Sequence, residues 1–218
     1  MFAWNATNWT TGEGQDHGRN TVQPKLDART TGMIAGTKVA MKFGWAPIET
    51  VQVGQRVLTF DDGLQEVTAI TRHVLMADTT DRASWPLSVP AGALGNVQPM
   101  TILPHQPVMI ESDLAEQMTG DPFALIPAAS LEGYAGITSD LPHGWVEVIQ
   151  LHFAQDEIVF ANIGALFLCR AQADLLCDAQ EKDYDVMPLS LADDLIECLS
   201  AEPHPAAQRC MAQQTRAA

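Results

Sequence analysis

The chain is short of basic residues and of cysteine, and each shortage excludes a class of protein. Only 12 Lys and Arg stand against 27 Asp and Glu in 218 residues, which gives a formal net charge of −15 at pH 7. This charge repels phosphate backbones and anionic lipid surfaces, so neither a nucleic acid nor a membrane is expected as a partner. The four cysteines fall in the last 50 residues without the close pairing typical of zinc sites. We therefore expect reduced thiols, no disulfide framework and no metal or other cofactor.

Long apolar runs and recognisable catalytic motifs are also missing. No run approaches the roughly 18 apolar residues of a membrane-spanning helix, and Met1 to Thr11 lacks the basic start and apolar core of a signal peptide. A cytoplasmic location is the default expectation, although non-classical export leaves no such mark. There is neither a Gly-x-Ser-x-Gly elbow nor a glycine loop followed by Lys-Ser or Lys-Thr. A hydrolase triad and a phosphate-binding loop therefore find no support.

The composition and periodicity of the sequence change twice along the chain. Residues 1–31 are rich in Asn, Thr, Gly and Gln without periodicity, which predicts an extended polar arm. Residues 32–170 consist of short runs with period-two alternation closed by Gly, Pro or Asp, which predicts a compact, mainly β domain. In the remainder, residues 172–218 hold nine acidic against three basic residues, so 171–218 is interpreted as an acidic tail.

Several elements are predicted individually. Residues 56–60 and 64–72 form the best hairpin, with Gly63 supplying a positive φ in the turn. Two short helices are expected, one capped by Ser112 and ending before Gly120, the other near 191–200, opened by Ser190 and buried through Leu191, Leu195 and Leu199. Further strands are predicted at residues 37–42, 88–89, 100–103, 108–110, 146–153 and 157–161.

A series of short motifs runs through the predicted β domain. In order, they are Gly36-Thr37-Lys38-Val39-Ala40, Gly44-Trp45-Ala46-Pro47-Ile48-Glu49, residues 53–59, Asp62-Gly63, residues 91–96, Leu103-Pro104-His105-Gln106 and residues 157–162. In these motifs and their spacing the chain resembles, between about residues 32 and 168, Hint domains, the Hedgehog and intein autoprocessing family, in its bacterial stand-alone branch. The resemblance implies a horseshoe-like all-β domain with one or two short helices. It also implies intramolecular acyl transfer, in which a Cys, Ser or Thr heading the domain attacks the preceding carbonyl while a histidine protonates the departing amide nitrogen.

The position that heads the family's domain is Gly32, which has no side chain to act as a nucleophile. Thr31, one residue earlier, offers a hydroxyl that could attack the carbonyl of Thr30. A slip of one residue displaces that hydroxyl by about 3.5 Å from any preorganised groups, which removes the near-attack geometry. The resemblance therefore implies a degenerate site with Thr31 as a fallback nucleophile.

The proton donors implied by the resemblance are degenerate as well. Without gaps, the family's histidine falls on Gln106, and His105 lies one residue early; only a local bulge would turn His105 toward the site. The later histidine corresponds to Asp156, and an ionised carboxylate is a poor general acid. Asn162 is interpreted as a turn residue before Gly164, since the chain continues with Ile163, and His152 as a structural strand histidine.

Three functional hypotheses follow. The first is a Hint domain that has lost autoprocessing and serves as a binding or structural module, with a protein partner of unknown kind. The second is a self-cleaving protein that uses Thr31 with His105. The third is an unrelated enzyme or ligand-binding β domain, which is distinguished by whether the fold brings residue 32 next to residues 105 and 156.

Overall fold

A computed structural model describes residues 29–76, 78–141, 143–171 and 184–201. Most of the predicted arm, much of the tail and both Cys177 and Cys210 lie outside these residues. The strands are β1 Met33–Ile34, β2 Lys38–Met41, β3 Gly44–Pro47, β4 Arg56–Thr59, β5 Gly63–Glu66, β6 Ala69–Met76, β7 Leu87–Val89, β8 Met100–Ile102, β9 Pro107–Glu111, β10 Phe123–Pro127, β11 Thr138–Ser139, β12 Trp145–His152, β13 Glu157–Ala161 and β14 Ala165–Cys169. The helices are α1 Asp113–Thr119 and α2 Leu189–Ala201. The prediction of a mainly β fold with short helices is confirmed.

The described strands form two sheets. One has the order β11, β7, β8, β1, β12, β6. The other runs β10, β9, β14, β13, β2, β4, β5, with β3 beside β2 and an additional pairing of β13 with β4. Apolar residues from both sheets and from α2 meet in one core, which includes Val39, Ile102, Ile126, Ile149 and Leu195. Burial of this core supplies the main driving force for folding.

The predicted hairpin forms, but its second strand is shorter than expected. β4 pairs with β5 through Arg56↔Glu66 to Thr59↔Gly63, and Gly63 has a φ of 68°. The prediction of one strand over 64–72 is wrong, because the chain leaves the eight-stranded sheet after Glu66 and joins the other sheet as β6. Neither Val67 nor Thr68 breaks a strand, so the sequence gives no sign of this crossing.

The two helices differ in how well their ends follow the prediction. Ser112 caps α1 by accepting a hydrogen bond from the Leu114 amide at 3.0 Å, and Gly120 ends the helix with a φ of 85°, as expected. For α2 the prediction of Ser190 as the cap is wrong, since the helix begins at Leu189 and the carbonyl of Pro188 accepts from the amides of Leu191 and Ala192.

The buried face of α2 follows the prediction at Leu195 and at Leu199, which is partly buried against the core, and departs from it at Leu191. Ala192, Leu195 and Ile196 are buried, whereas Leu191 is 37% exposed. Apolar residues of the 184–201 segment thus pack into the core of the β domain. Within the described residues, no helix is both long and apolar enough to span a membrane.

Candidate functional site

The position that heads the family's domain lies where β1 begins beside β12. Met33 pairs with Ile149 and Ile34 with Val148, so Gly32 lies opposite the Val148–Gln150 segment of β12. Alternate residues of a strand share one face, and Val148 and Gln150 therefore both point toward Gly32. This antiparallel pairing fixes the surroundings of the Thr31–Gly32 peptide bond.

Gly32 has no room for a side chain. A Cβ atom added there would lie 2.8 Å from Val148 Cγ1, 2.9 Å from Gln150 Cγ and 3.1 Å from the Ile149 carbonyl oxygen. The φ of Gly32 is 125°, a conformation that side-chain-bearing residues rarely adopt. Both the contacts and the backbone conformation thus require glycine at this position.

Gln106 accepts a hydrogen bond from the amide of Gly32. The N–H of Gly32 donates to Gln106 Oε1 at 2.8 Å, while Gln106 Nε2 donates to the carbonyls of Leu168 at 2.9 Å and Pro107 at 3.1 Å. The Gln106 side chain is buried, with 2% of the residue exposed. A flipped carboxamide would place its oxygen against two carbonyls, so an acceptor is held toward Gly32.

Gln150 holds the other end of the same peptide bond. Its Nε2 donates to the carbonyl oxygen of Thr31 at 2.8 Å and lies 3.2 Å from Thr31 Oγ1. Thr31 and Gly32 line a cavity of about 270 Å³ together with both glutamines. The arrangement binds a peptide bond at its C=O and at its N–H, with one carboxamide on each.

Three ionisable residues also line this cavity: His152, Cys169 and Arg170. The two ring nitrogens of His152 lie 3.0 Å from Thr71 Oγ1 and 3.2 Å from the Arg170 carbonyl oxygen. Both nitrogens are thus engaged by structural partners, in keeping with the interpretation of His152 as a strand histidine. Among the residues that the structure describes, no group of three or more His, Cys, Asp or Glu is arranged to hold a metal ion.

Cys169 is a thiol rather than a thiolate. Burial, together with the nearby carboxylates of Asp156 and Glu157, raises the pKa of Cys169 to about 12. Because the thiolate is the nucleophilic form, Cys169 is unreactive at neutral pH. It does not replace the side chain that position 32 lacks.

The remaining predicted site residues are placed differently from Gln106. Asp156 pairs with Arg170, whose Nη1 lies 2.5 Å from Asp156 Oδ2, and accepts from the amide of Ala171 at 2.7 Å. His105 is half-buried in the turn in which the Gln106 amide donates to the Leu103 carbonyl, and it does not line the cavity. Gln106 is the residue on which the family's histidine falls when the motifs are aligned without gaps, and its side chain is the one that contacts Gly32.

Asn162 lies in the turn between β13 and β14, where its φ is 44°. Its side-chain oxygen accepts from the Lys38 amide at 2.8 Å, and its own amide donates to the Lys38 carbonyl at 2.8 Å. These bonds fasten the turn to the start of β2. Asn162 is therefore the turn residue that the sequence indicates.

Sequence reasoning missed Gln150. The available signal was the period-two alternation through 146–153, which places 148, 150 and 152 on one face of a strand. What the sequence did not reveal is that β1 pairs with this strand, since β1 has two residues and lies more than 100 positions away.

Comparison with solved structures gives distant matches to inteins. A bacterial intein-like domain from Clostridium thermocellum matches with a TM-score of 0.46 and 12% identity over 65% of this chain and 99% of that one. A splice-inactive variant of the AceL NrdHF class 3 split intein matches with a TM-score of 0.43, 14% identity and the same coverage. The gp41-1 intein matches with a TM-score of 0.38, 12% identity and the same coverage.

Comparison with curated protein sequences finds no match. The family model described as Hint domain, in contrast, matches residues 31–166, which is more than half of the chain. The match begins at the Thr31–Gly32 bond, and it excludes the hypothesis of an unrelated β domain. The chain belongs to the Hint domain family, related to the domains of inteins and Hedgehog proteins.

Proposed function

We propose that this Hint domain does not process itself and serves as a binding or structural module that keeps its N-terminal segment attached. The observation that carries this proposal is the steric environment of Gly32. Acyl transfer needs a side-chain nucleophile at the head of the domain. Gly32 supplies none, and the backbone carbonyl of Ile149 stands 3.1 Å from where a Cβ would lie.

The proton donor is missing in the same way. An amide nitrogen leaves only when it receives a proton, which a general acid must deliver. Gln106 directs its carboxamide oxygen at the Gly32 nitrogen from 2.8 Å, and this oxygen carries no proton. Asp156, at the position of the family's later histidine, is paired with Arg170 instead. Both roles that the chemistry needs are therefore vacant around this bond.

Self-cleavage by Thr31 is the competing function. The Thr31 hydroxyl lies 3.2 Å from Gln150 Nε2, which is a hydrogen-bond donor and cannot remove its proton. His105 does not line the cavity that contains Thr31. His152 lines this cavity, but its two ring nitrogens are engaged by Thr71 Oγ1 and the Arg170 carbonyl oxygen. A hydroxyl without a general base is a weak nucleophile, so this alternative lacks its activating group.

The test is the intact mass of the freshly purified full chain, repeated after incubation with dithiothreitol and with hydroxylamine, which release thioesters and esters. We expect 23.6 kDa under every condition. A fragment that begins at Gly32 overturns the proposal. A fragment that begins at Thr31 and disappears in Thr31→Ala but persists in Thr31→Ser establishes the competing function.

A further inference from the structure

The two glutamines come from different sheets and meet on one peptide bond. Gln106 immediately precedes β9 in the eight-stranded sheet, and Gln150 lies in β12 of the six-stranded sheet. Gln106 Oε1 accepts from the Gly32 N–H and Gln150 Nε2 donates to the Thr31 carbonyl, each at 2.8 Å. The Thr31–Gly32 bond thus joins the two sheets through hydrogen bonds on both of its polar atoms.

The carboxamide of Gln106 is fully used. Both of its N–H groups donate to backbone carbonyls, and its oxygen accepts from Gly32. A buried carboxamide with every partner in place is held in one orientation, and its hydrogen bonds are stronger in the low local dielectric than in water. The Gln106 side chain therefore presents a fixed acceptor oxygen to an N–H group at this point.

The pair of contacts favours the intact amide chemically. A donor on the carbonyl oxygen and an acceptor on the N–H both stabilise the resonance form with a partial C–N double bond. Cleavage requires the opposite change, in which the nitrogen regains its lone pair and takes up a proton. The glutamines therefore hold the bond in its ground state.

We propose that Gln106 and Gln150 form a binding site for a trans peptide amide, here called the amide clamp, whose permanent ligand is the chain's own Thr31–Gly32 bond. This inference rests on the proposed function, because the ligand exists only if the bond is not cleaved. The amide clamp contacts backbone atoms on both sides of the bond. It therefore tolerates other side chains at position 31, whereas the crowding around Gly32 restricts position 32 to glycine.

The amide clamp is tested by hydrogen exchange of the Gly32 amide, measured by NMR on the full 15N-labelled chain. In the wild type we expect Gly32 to be protected. In Gln106→Leu its exchange should accelerate about tenfold, the effect of one lost hydrogen bond. The Val67 amide donates to the Gln55 carbonyl beside β5, at the opposite end of the eight-stranded sheet from β9. Its exchange rate should change less than about twofold in the same variant.

Gln65→Leu is the matched control, because it removes a glutamine that donates to the Asp62 carbonyl at 2.7 Å, away from the site. We expect it to leave the Gly32 rate unchanged. Gln150→Leu provides a second measurement, which does not depend on whether the Gln106 variant folds. There the carbonyl carbon signal of Thr31 should move upfield, since the carbonyl loses its donor.

Three results overturn the amide clamp: a wild-type Gly32 amide that exchanges as an unprotected one, an unchanged rate in Gln106→Leu, or an unshifted Thr31 carbonyl in Gln150→Leu. Each of these is observed on a chain of full mass. Failure of the proposed function is observed instead as loss of mass in the wild type, so the two failures are distinguishable.

Discussion

Gly32 combines two constraints that are usually separate. It has a φ of 125°, and a Cβ there would meet Val148, Gln150 and the Ile149 carbonyl. Gly36, four residues on, also has a positive φ, of 91°, but a Cβ there would meet nothing within 4 Å. The two glycines share the backbone constraint, and only Gly32 adds the steric one.

Gly32→Ala should therefore destabilise the protein more than Gly36→Ala. Each substitution carries the cost of a positive φ, about 1–2 kcal/mol, and Gly32→Ala adds roughly 1–3 kcal/mol for displaced neighbours. Urea denaturation of the two variants beside the wild type measures the difference. Equal losses of unfolding free energy would show that the site has room for a side chain.

Part of the site is implied by the resemblance to Hint domains. The absence of a nucleophile at Gly32 and the placement of Gln106 in the ungapped register follow from the motifs around them. The contact between Gln150 and Thr31 does not, because it joins residues 119 positions apart through a strand pairing without a local signal. Likewise, the pairing of Asp156 with Arg170 depends on the register of β13 against β14.

At the scale of elements, strands with turn residues at both ends were easier to predict than helix ends and sheet crossings. β13 was predicted over 157–161 and occupies Glu157–Ala161. The passage from β5 to β6 was missed because Val67 and Thr68 suit a strand and nothing local marks the change of sheet. The contacts that assign β5 and β6 to different sheets are long-range.

The orientation of α2 yields a prediction at this scale. Leu195 is fully buried against the β domain, whereas Leu191 is 37% exposed on the same helix. Leu195→Ala should lower the unfolding free energy by about 2–5 kcal/mol, and Leu191→Ala by less than about 1 kcal/mol.

Thermal or chemical denaturation of both variants checks this difference. The matched substitution on one helix cancels the change in helix propensity. If Leu191→Ala proves as harmful as Leu195→Ala, Leu191 is buried as the leucine spacing alone predicted, and its exposed position on α2 is contradicted.

For the whole molecule, the order of short motifs between residues 32 and 168 sufficed to predict the family and its β architecture. The apolar stripe of the helix near 191–200 indicated that this part of the acidic tail packs on the domain, and Leu195 and Leu199 do lie against the core. Burial of Met187, Ala192, Leu195 and Ile196 depends on surfaces supplied by distant strands.

The central claim is that the Thr31–Gly32 bond persists intact in the folded protein. The most direct measurement is an HNCO spectrum of the full chain made by cell-free synthesis with 13C-carbonyl threonine and 15N-glycine. The sequence contains three Thr-Gly pairs, at 11–12, 31–32 and 119–120, so three signals are possible. The signal of Gly32 is assigned by its disappearance in Thr31→Ala.

We predict that the Gly32 signal is present in the folded wild type and keeps its intensity relative to that of Gly120 during prolonged incubation with dithiothreitol. A Gly32 signal that is absent, or that decays while the Gly120 signal remains, would mean that this bond is broken or rearranged, and would contradict the account.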